Sequence, residues 1–289
     1  WMHSLPKSGG WLNTVKVVLG FLELALAFKF LSNADLVLQL HLLEREVFLA
    51  IWIAIFGTLA LYLFGKITLP HDSPLSHISV GRLSLGLVVL SFTIYMIPGL
   101  WGAPLKLINA FPPPLEYSES PHGFDGSSNN VSTAVLPDGA KLGPHQIVVF
   151  DDYDKGLAYA KSVNKPIMID FTGFACVNCR KMENNVWSDE RILTILKNQV
   201  VLISLYVDDK RALPKNEQLV SKTTGASIET IGDKWTDFMI STYKTNTQPL
   251  YVLTDLEGNS LNLKQPTISF VSIDEYEVWL KEGIAKFKK

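Results

Sequence analysis

Cysteine is nearly absent from this chain. Its 289 residues contain two, Cys176 and Cys179, three positions apart. A small fold stapled by several disulfides is therefore excluded, and the pair has to be explained as a local unit. Nor is there an excess of charge of either sign: 26 Lys and Arg face 28 Asp and Glu, a formal net charge of -2. Without a broad basic face the composition speaks against nucleic acid as a partner. Residues 146–289 hold no histidine and no third cysteine, so a four-ligand structural zinc site cannot be assembled there except across a dimer. No internal repeat is evident. The chain starts at Trp1, and no secretory signal with a basic start and a small-residue cleavage site is visible. The expectation from these termini is a fragment whose N-terminal portion is missing.

Charge is also scarce through much of residues 1–105, and here the scarcity is informative. Three apolar runs, at about 11–31, 47–65 and 83–100, each approach the length needed to cross a hydrocarbon core of ~30 Å. Val47 to Phe64 carries no charge at all, and the third run ends in the breaker-rich stretch from Pro98 to Pro104. One such run could be a buried globular helix, but three in succession predict an α-helical membrane segment bathed in lipid. Lys7 and Lys16 flank the start of the first run, and Lys66 and Arg82 bracket the loop after the second. The loop between the first two carries Asp35, Glu44 and Glu46 against Arg45 alone. Counting basic residues then places the N-terminal flank and the second loop in the cytoplasm, and everything after Leu100 outside. Glu23 and Lys29 fall in or near the first run, where a charge either marks a functional path or faces a partner and the interface.

Residues 106–145 read as a flexible linker: Pro112-Pro113-Pro114 is stiff, and Ser118 to Ser132 is too rich in Ser, Asn and Gly to build a core. From Gln146 onward strand and helix signals alternate. Ile147–Phe150 is a short strand, Asp151–Asn164 has helical spacing, and Ile167–Phe171 is a buried strand. A helix is predicted from Cys176 through Glu183, with another capped by Ser188-Asp189-Glu190. Val200–Val207 suits the middle of a covered sheet. Leu250–Thr254 and Ser260–Leu263 are expected to pair as a hairpin, and Ser272–Phe287 to close the domain as an amphipathic helix. The order predicts an α/β domain over 146–289, a central mixed sheet flanked by helices. Pro214–Lys222 and Asp233–Thr245 look helical.

Cys176-Val177-Asn178-Cys179 follows a strand and opens a helix. The first sulfur then sits at a helix N-terminus, where free N–H groups and the macrodipole favour a thiolate, and the second lies one turn on. A thiolate there can attack a partner disulfide and the second thiol can resolve the product. A structural disulfide, which would constrain so short a loop little, and two coincidental core cysteines are the alternatives. The strand–CxxC–helix setting favours exchange.

Ile167-Met168-Ile169-Asp170-Phe171 followed by Cys176-Val177-Asn178-Cys179-Arg180-Lys181-Met182-Glu183 resembles the thioredoxin superfamily. More narrowly it is similar to the C-terminal domain of DsbD-type thiol–disulfide interchange proteins, which carry an acidic residue six positions before the first cysteine and a Glu four after the second, here Asp170 and Glu183. Trp187-Ser188-Asp189 fits that pattern, and Leu5-Pro6-Lys7-Ser8-Gly9 with Trp11, Val15-Lys16 and Gly20-Phe21 resembles the lead into that family's last three spans.

The resemblance implies a membrane-bound protein-disulfide reductase with no cofactor beyond the redox-active Cys176–Cys179 pair. Cys176 would attack and Cys179 resolve. Asp170 would lie beneath them as a proton handler, a task Glu183 could share, and Pro249 would be the cis proline beside the disulfide. Both carboxylates would raise the cysteine pKa while the helix N-terminus would lower it. Electrons would come from cytoplasmic thioredoxin through cysteine-bearing spans of the same protein that this chain lacks. They would go to periplasmic disulfide proteins, isomerases or cytochrome c maturation factors among them, with the protein in a bacterial inner membrane and its thioredoxin-like domain in the periplasm. A disulfide oxidase or isomerase, or a membrane-anchored binding or chaperone module, are the competing functions. Many thioredoxin-like sites place Trp before the first cysteine; Ala175 stands there, with Phe174 one further back. Set against a minimal thioredoxin, residues 208–247 are longer than needed, and the resemblance makes them an expected insertion beside the active site that shapes partner choice.

Overall fold

In the structure, a computed structural model, residues 9–70, 72, 77–119 and 136–287 are described. The Leu5-Pro6-Lys7-Ser8 motif and residues 120–135 of the expected linker lie outside them. The described residues form two compact units, the first built mainly from residues 9–119 and the second mainly from 136–287.

The first unit contains α1 (Gly9–Leu38), α2 (Arg45–Leu63) and α3 (Val80–Met96), the last running on as a tighter turn to Trp101. Among the described residues two helices, Arg45–Leu63 and Val80–Trp101, are long and apolar enough to cross a membrane. The first apolar run lies inside α1, whose 30 residues reach ~45 Å and carry Lys16, Glu23, Lys29 and Asp35. Glu23 is exposed on it. Phe48, Leu49, Trp52, Leu59 and Met96 pack at the centre of this unit, and the Trp52 indole donates to the Ala25 carbonyl at 3.1 Å, tying α2 to α1.

Residues 106–119, expected to begin a flexible linker, are instead anchored to this unit. Buried Arg45 donates to the Pro113 carbonyl at 2.7 Å. Buried Asp35 accepts from Leu42 N, Leu43 N and the Tyr117 hydroxyl, the last at 2.7 Å. The reason is one of satisfaction: a chain reversal at the end of α1 exposes backbone N–H groups that Asp35 caps, and Tyr117 completes the carboxylate. Stiff prolines reduce the entropy of laying the segment down.

The second unit is a six-stranded mixed sheet. Its strands are β1 (Ala140–Leu142), β2 (Val148–Phe150), β3 (Ile167–Thr172), β4 (Val201–Tyr206), β7 (Leu250–Thr254) and β8 (Thr267–Ile268), in the order β1-β2-β4-β3-β7-β8. β2, β4 and β3 are parallel; β1, β7 and β8 join antiparallel. Every residue of β3 is buried, as a central strand with both faces covered must be. One face packs against α4 (Tyr153–Val163) and α7 (Ile231–Tyr243), with Ile167, Ile169, Phe171, Ile203, Trp235 and Met239 in its core. The other packs against α5 (Val177–Met182), α6 (Glu190–Asn198) and α8 (Ile273–Phe287), around Met168, Trp187, Ile192, Tyr251, Tyr276 and Trp279.

Two expected elements differ. Ser260–Leu263 is not a strand: Ser260 makes a single bridge to Thr254, and β8 pairs with β7 instead. The Asn262 side chain turns inward to donate to the Trp279 carbonyl at 2.8 Å, which breaks the alternation a strand needs. Pro214–Lys222 is not a helix. Leu219–Val220 (β5) pairs with Ser227–Ile228 (β6), and the Ser221 hydroxyl accepts from Thr223 N and Thr224 N to turn the chain.

Replacing Tyr117 by Phe removes one donor from buried Asp35. Stability against thermal unfolding in detergent should fall by the equivalent of about 1–3 kcal/mol, and proteolysis within 103–119 should quicken. Unchanged cleavage would mean the segment is held without that bond.

Candidate active site

The site begins where β3 ends. Phe174 N and Ala175 N donate to the two carboxylate oxygens of Asp208 at 2.8 and 3.0 Å, fixing the loop before Cys176. Gly173 is required here: a Cβ would lie 2.8 Å from Asp208 Oδ2 and 2.5 Å from Gln248 Oε1. The Gln248–Pro249 peptide is cis, and Pro249 leads into β7 beside β3. Phe174 stacks on Tyr206 at 4.1 Å, so an aromatic pair stands near the position where Trp is common in related sites.

Cys176 is the N-cap of α5, and its Sγ accepts from Cys179 N at 3.1 Å. The two sulfurs form a disulfide of 2.00 Å. Cys176 is half-buried and Cys179 buried, so a partner can reach the first sulfur and not the second.

Beneath α5, three polar residues lie in line across adjacent strands: Ser204 on β4, Asp170 on β3 and Tyr251 on β7. Period-2 alternation sets Asp170 on the same face as Met168 and Thr172, the face that α5 covers. Ser204 donates to Asp170 Oδ2 at 3.1 Å, while Oδ1 has no hydrogen-bond partner among the described residues. Burial pushes the Asp170 carboxyl up to about 7; the Arg180 charge and the Ser204 bond oppose that rise without cancelling it. A carboxyl poised there can take or give a proton at neutral pH. Tyr251 and Tyr276, both buried and near Asp170, are held well above the usual phenol range, first by burial.

Glu183 lies at the junction where α5 passes into a π-helical turn, Glu183–Trp187. It is buried, and its carboxylate meets the Arg180 guanidinium at 2.8 Å. Arg180 also donates to Thr172 Oγ1 at 3.3 Å. The Glu183 carbonyl accepts from His145 Nε2 at 2.7 Å, so that nitrogen carries the proton. The structure thus brings Cys176, Cys179, Asp170 and Glu183 to one end of the sheet, with Pro249 heading the strand alongside.

Sequence reasoning assigns no role to Arg180, Asp208 or Ser204. Arg180 is detectable all the same: Cys176, Cys179, Arg180 and Glu183 follow i, i+3, i+4, i+7 spacing, which puts a cation on the buried stripe. Asp208 and Ser204 depend on strand pairing and leave no local signal.

Asp170 and Asp208 each support a measurable expectation. Because the folded carboxyl of Asp170 titrates near 7, above its ordinary 3.8, its contribution to stability is complete below pH 4 and lost as pH rises through 7. Asp170→Asn should thus be the more stable protein at pH 8, by on the order of 4 kcal/mol, and gain far less at pH 5. Urea unfolding at both values checks this, and equal gains would refute it. Asp208→Ala deprives two loop N–H groups of a charged acceptor. It should cost about 2 kcal/mol and hasten reduction of the disulfide by dithiothreitol; a variant reduced at the original rate would show that the loop is fixed by other contacts.

Residues 148–225 match the thioredoxin-like family. The chain is 27% identical over 199 residues to the thiol:disulfide interchange protein DsbD of Vibrio vulnificus (strain CMCP6), covering 68% of this chain and 27% of that protein. It is 25% identical over 250 residues to DsbD 1 of Pseudomonas aeruginosa, covering 82% and 36%. The chain therefore spans between about a quarter and about a third of the length of these relatives. A solved structure of the DsbH oxidoreductase covers 52% of this chain and 90% of its own, with 19% identity and a TM-score of 0.35.

The matched thioredoxin-like stretch holds the strand, the Cys176–Cys179 disulfide and the buried carboxylates, and the similarity to DsbD-type interchange proteins extends well beyond it.

Proposed function

We propose that this protein is a membrane-bound disulfide reductase whose thioredoxin-like unit delivers electrons to disulfide-bonded proteins in the periplasm of a bacterial cell. The observation that carries the reading is the pairing of a half-exposed sulfur with a buried one above a carboxyl near neutrality. The half-exposed sulfur suits attack, and the buried one suits resolution. The two helices apolar enough for a membrane, and the similarity to DsbD proteins, support an inner-membrane location.

In this reading two electrons and two protons convert the Cys176–Cys179 disulfide to the dithiol. They come from cytoplasmic thioredoxin by way of cysteine-bearing spans of the same protein outside this chain. Cys176, as thiolate, then attacks a partner disulfide; a mixed disulfide forms and one partner sulfur leaves with the electron pair, taking a proton from water. Cys179 gives its proton to Asp170 and attacks Cys176 Sγ, which re-forms the internal disulfide and frees the second partner sulfur. Pro249, at the head of β7, lies where it shapes the surface that meets the partner chain. Periplasmic isomerases and cytochrome c maturation factors are the acceptor class.

The direction of flow is tested by the reduction potential of the full chain in detergent, from thiol trapping in dithiothreitol and glutathione buffers. A value near the ~-270 mV of thioredoxin is expected, clearly below the ~-180 mV of disulfide isomerases. A value near ~-120 mV would make the site a disulfide donor and overturn the proposal.

A further inference from the structure

Arg180 is a buried cation that the exchange chemistry above does not use. A guanidinium out of water is costly unless paired and hydrogen-bonded, and this one is held in two directions. Its Nη2 lies 2.8 Å from Glu183 Oε1 on its own helix and 3.3 Å from Thr172 Oγ1 on β3. Thr172 is two residues beyond Asp170 on the same face of the strand, so the bond to it brings the positive charge toward the Asp170 carboxyl.

We propose that Arg180 is a positioning residue for the proton step of the exchange: fixed between Thr172 and Glu183, it keeps the buried Asp170 carboxyl able to ionise and so to accept the Cys179 proton. The inference rests on the dithiol reading above and names a residue that reading leaves idle.

The surroundings show why a cation is needed. Asp170 faces the Ser204 hydroxyl from β4, the Tyr251 phenol from β7 and the Tyr276 phenol from α8, none of them positive. Glu183 on the α5 side is a second negative group, and His145 meets its backbone carbonyl rather than its carboxylate. Arg180 is the cation that opposes the upward push of burial on Asp170. Without it the carboxyl would stay protonated to higher pH and could not take a proton at pH 7. In the resolving step, the Cys179 S–H proton passes to the carboxylate and the Cys176–Cys179 S–S bond forms. The bond from Cys176 to the partner breaks, and the partner sulfur leaves with the electron pair, so charge and electrons balance.

The test uses the reduced full chain in detergent and dithiobis(nitrobenzoate), a disulfide releasing one coloured thiolate on attack by Cys176 and a second on resolution by Cys179. Stopped-flow traces across a pH series separate the two releases. In the unaltered protein the second should accelerate with an inflection near pH 7. Arg180→Gln should move that inflection up by about one pH unit, slowing resolution at pH 7 about fivefold, with the first release unchanged. Arg180→Lys, keeping the charge, should restore it. Glu183→Gln, removing the carboxylate that pairs with Arg180 and leaving its charge uncompensated, should move it down, and in an Asp170→Asn background the Arg180→Gln shift should vanish. A purely structural Arg180 would lower the melting temperature and leave the inflection in place, overturning the proposal. Shifts of the same sign for Arg180→Gln and Glu183→Gln would overturn it as well. If Arg180→Gln does not fold, Arg180→Lys and Glu183→Gln decide it by the same criteria. An unaltered protein that gives no second release fails as an exchanging dithiol, an outcome separate from an unmoved inflection.

Discussion

A carboxyl group in the middle of a buried strand is the constraint on which this unit depends. Asp170 stands on β3 with β4 on one side and β7 on the other, out of contact with water. An isolated ion there is costly, so the fold has two ways to tolerate it: keep it neutral, or supply partners. It does some of each. Burial keeps the group protonated to about pH 7, and the Arg180 charge and the Ser204 hydrogen bond limit the rise. The neighbours in register are polar where apolar side chains would pack as well, and Arg180 and Glu183 are drawn inside as a pair. A purely structural sheet gains nothing from such an arrangement, since a buried ion pair replaced by packed apolar groups is often no less stable. The arrangement is intelligible as chemistry retained at a cost in stability.

How much of this is legible in the sequence follows from how local each signal is. Ile167–Phe171 is an apolar run short enough for a strand and interrupted by one Asp, which marks both the buried strand and its polar position. The helices α6, α7 and α8 announce themselves by spacing and by caps such as Asp189 and the Thr230–Asp233 box. Elements without enough residues to show a period escape such a reading. β1 has three residues with Lys141 at its centre, and β5, β6 and β8 have two each. The 214–222 segment deceives because Lys215, Glu217, Gln218 and Leu219 all favour helices, whereas the Ser221 hydroxyl caps a turn that no helix contains.

The same rule explains the site. Cys176, Cys179, Asp170 and Glu183 stand out in the sequence because motif spacing is a property of neighbouring residues. Asp208 grips a loop more than thirty positions earlier, and only the parallel pairing of β3 with β4 brings them together. The anchoring of 106–119 is hidden likewise: Tyr117 meets Asp35 across 82 positions, and the composition of the segment alone suggests a free linker.

Alternation along β3 divides the labour of the sheet. Ile167, Ile169 and Phe171 point into the layer with Phe150, Ile203, Leu205 and Trp235, where apolar packing holds α4 and α7 in place. Met168, Asp170 and Thr172 point the other way, toward α5 and α8. Because the period is two, a slip of β3 by one residue would bury Asp170 among aromatic and aliphatic side chains and turn Phe171 toward Arg180. Both exchanges are unfavourable, the first by leaving a carboxyl without Ser204 and the second by leaving a guanidinium without Thr172. The polar groups that cost stability in the correct register therefore penalise the wrong one more heavily. The residues proposed to serve the chemistry also fix the register that brings them together.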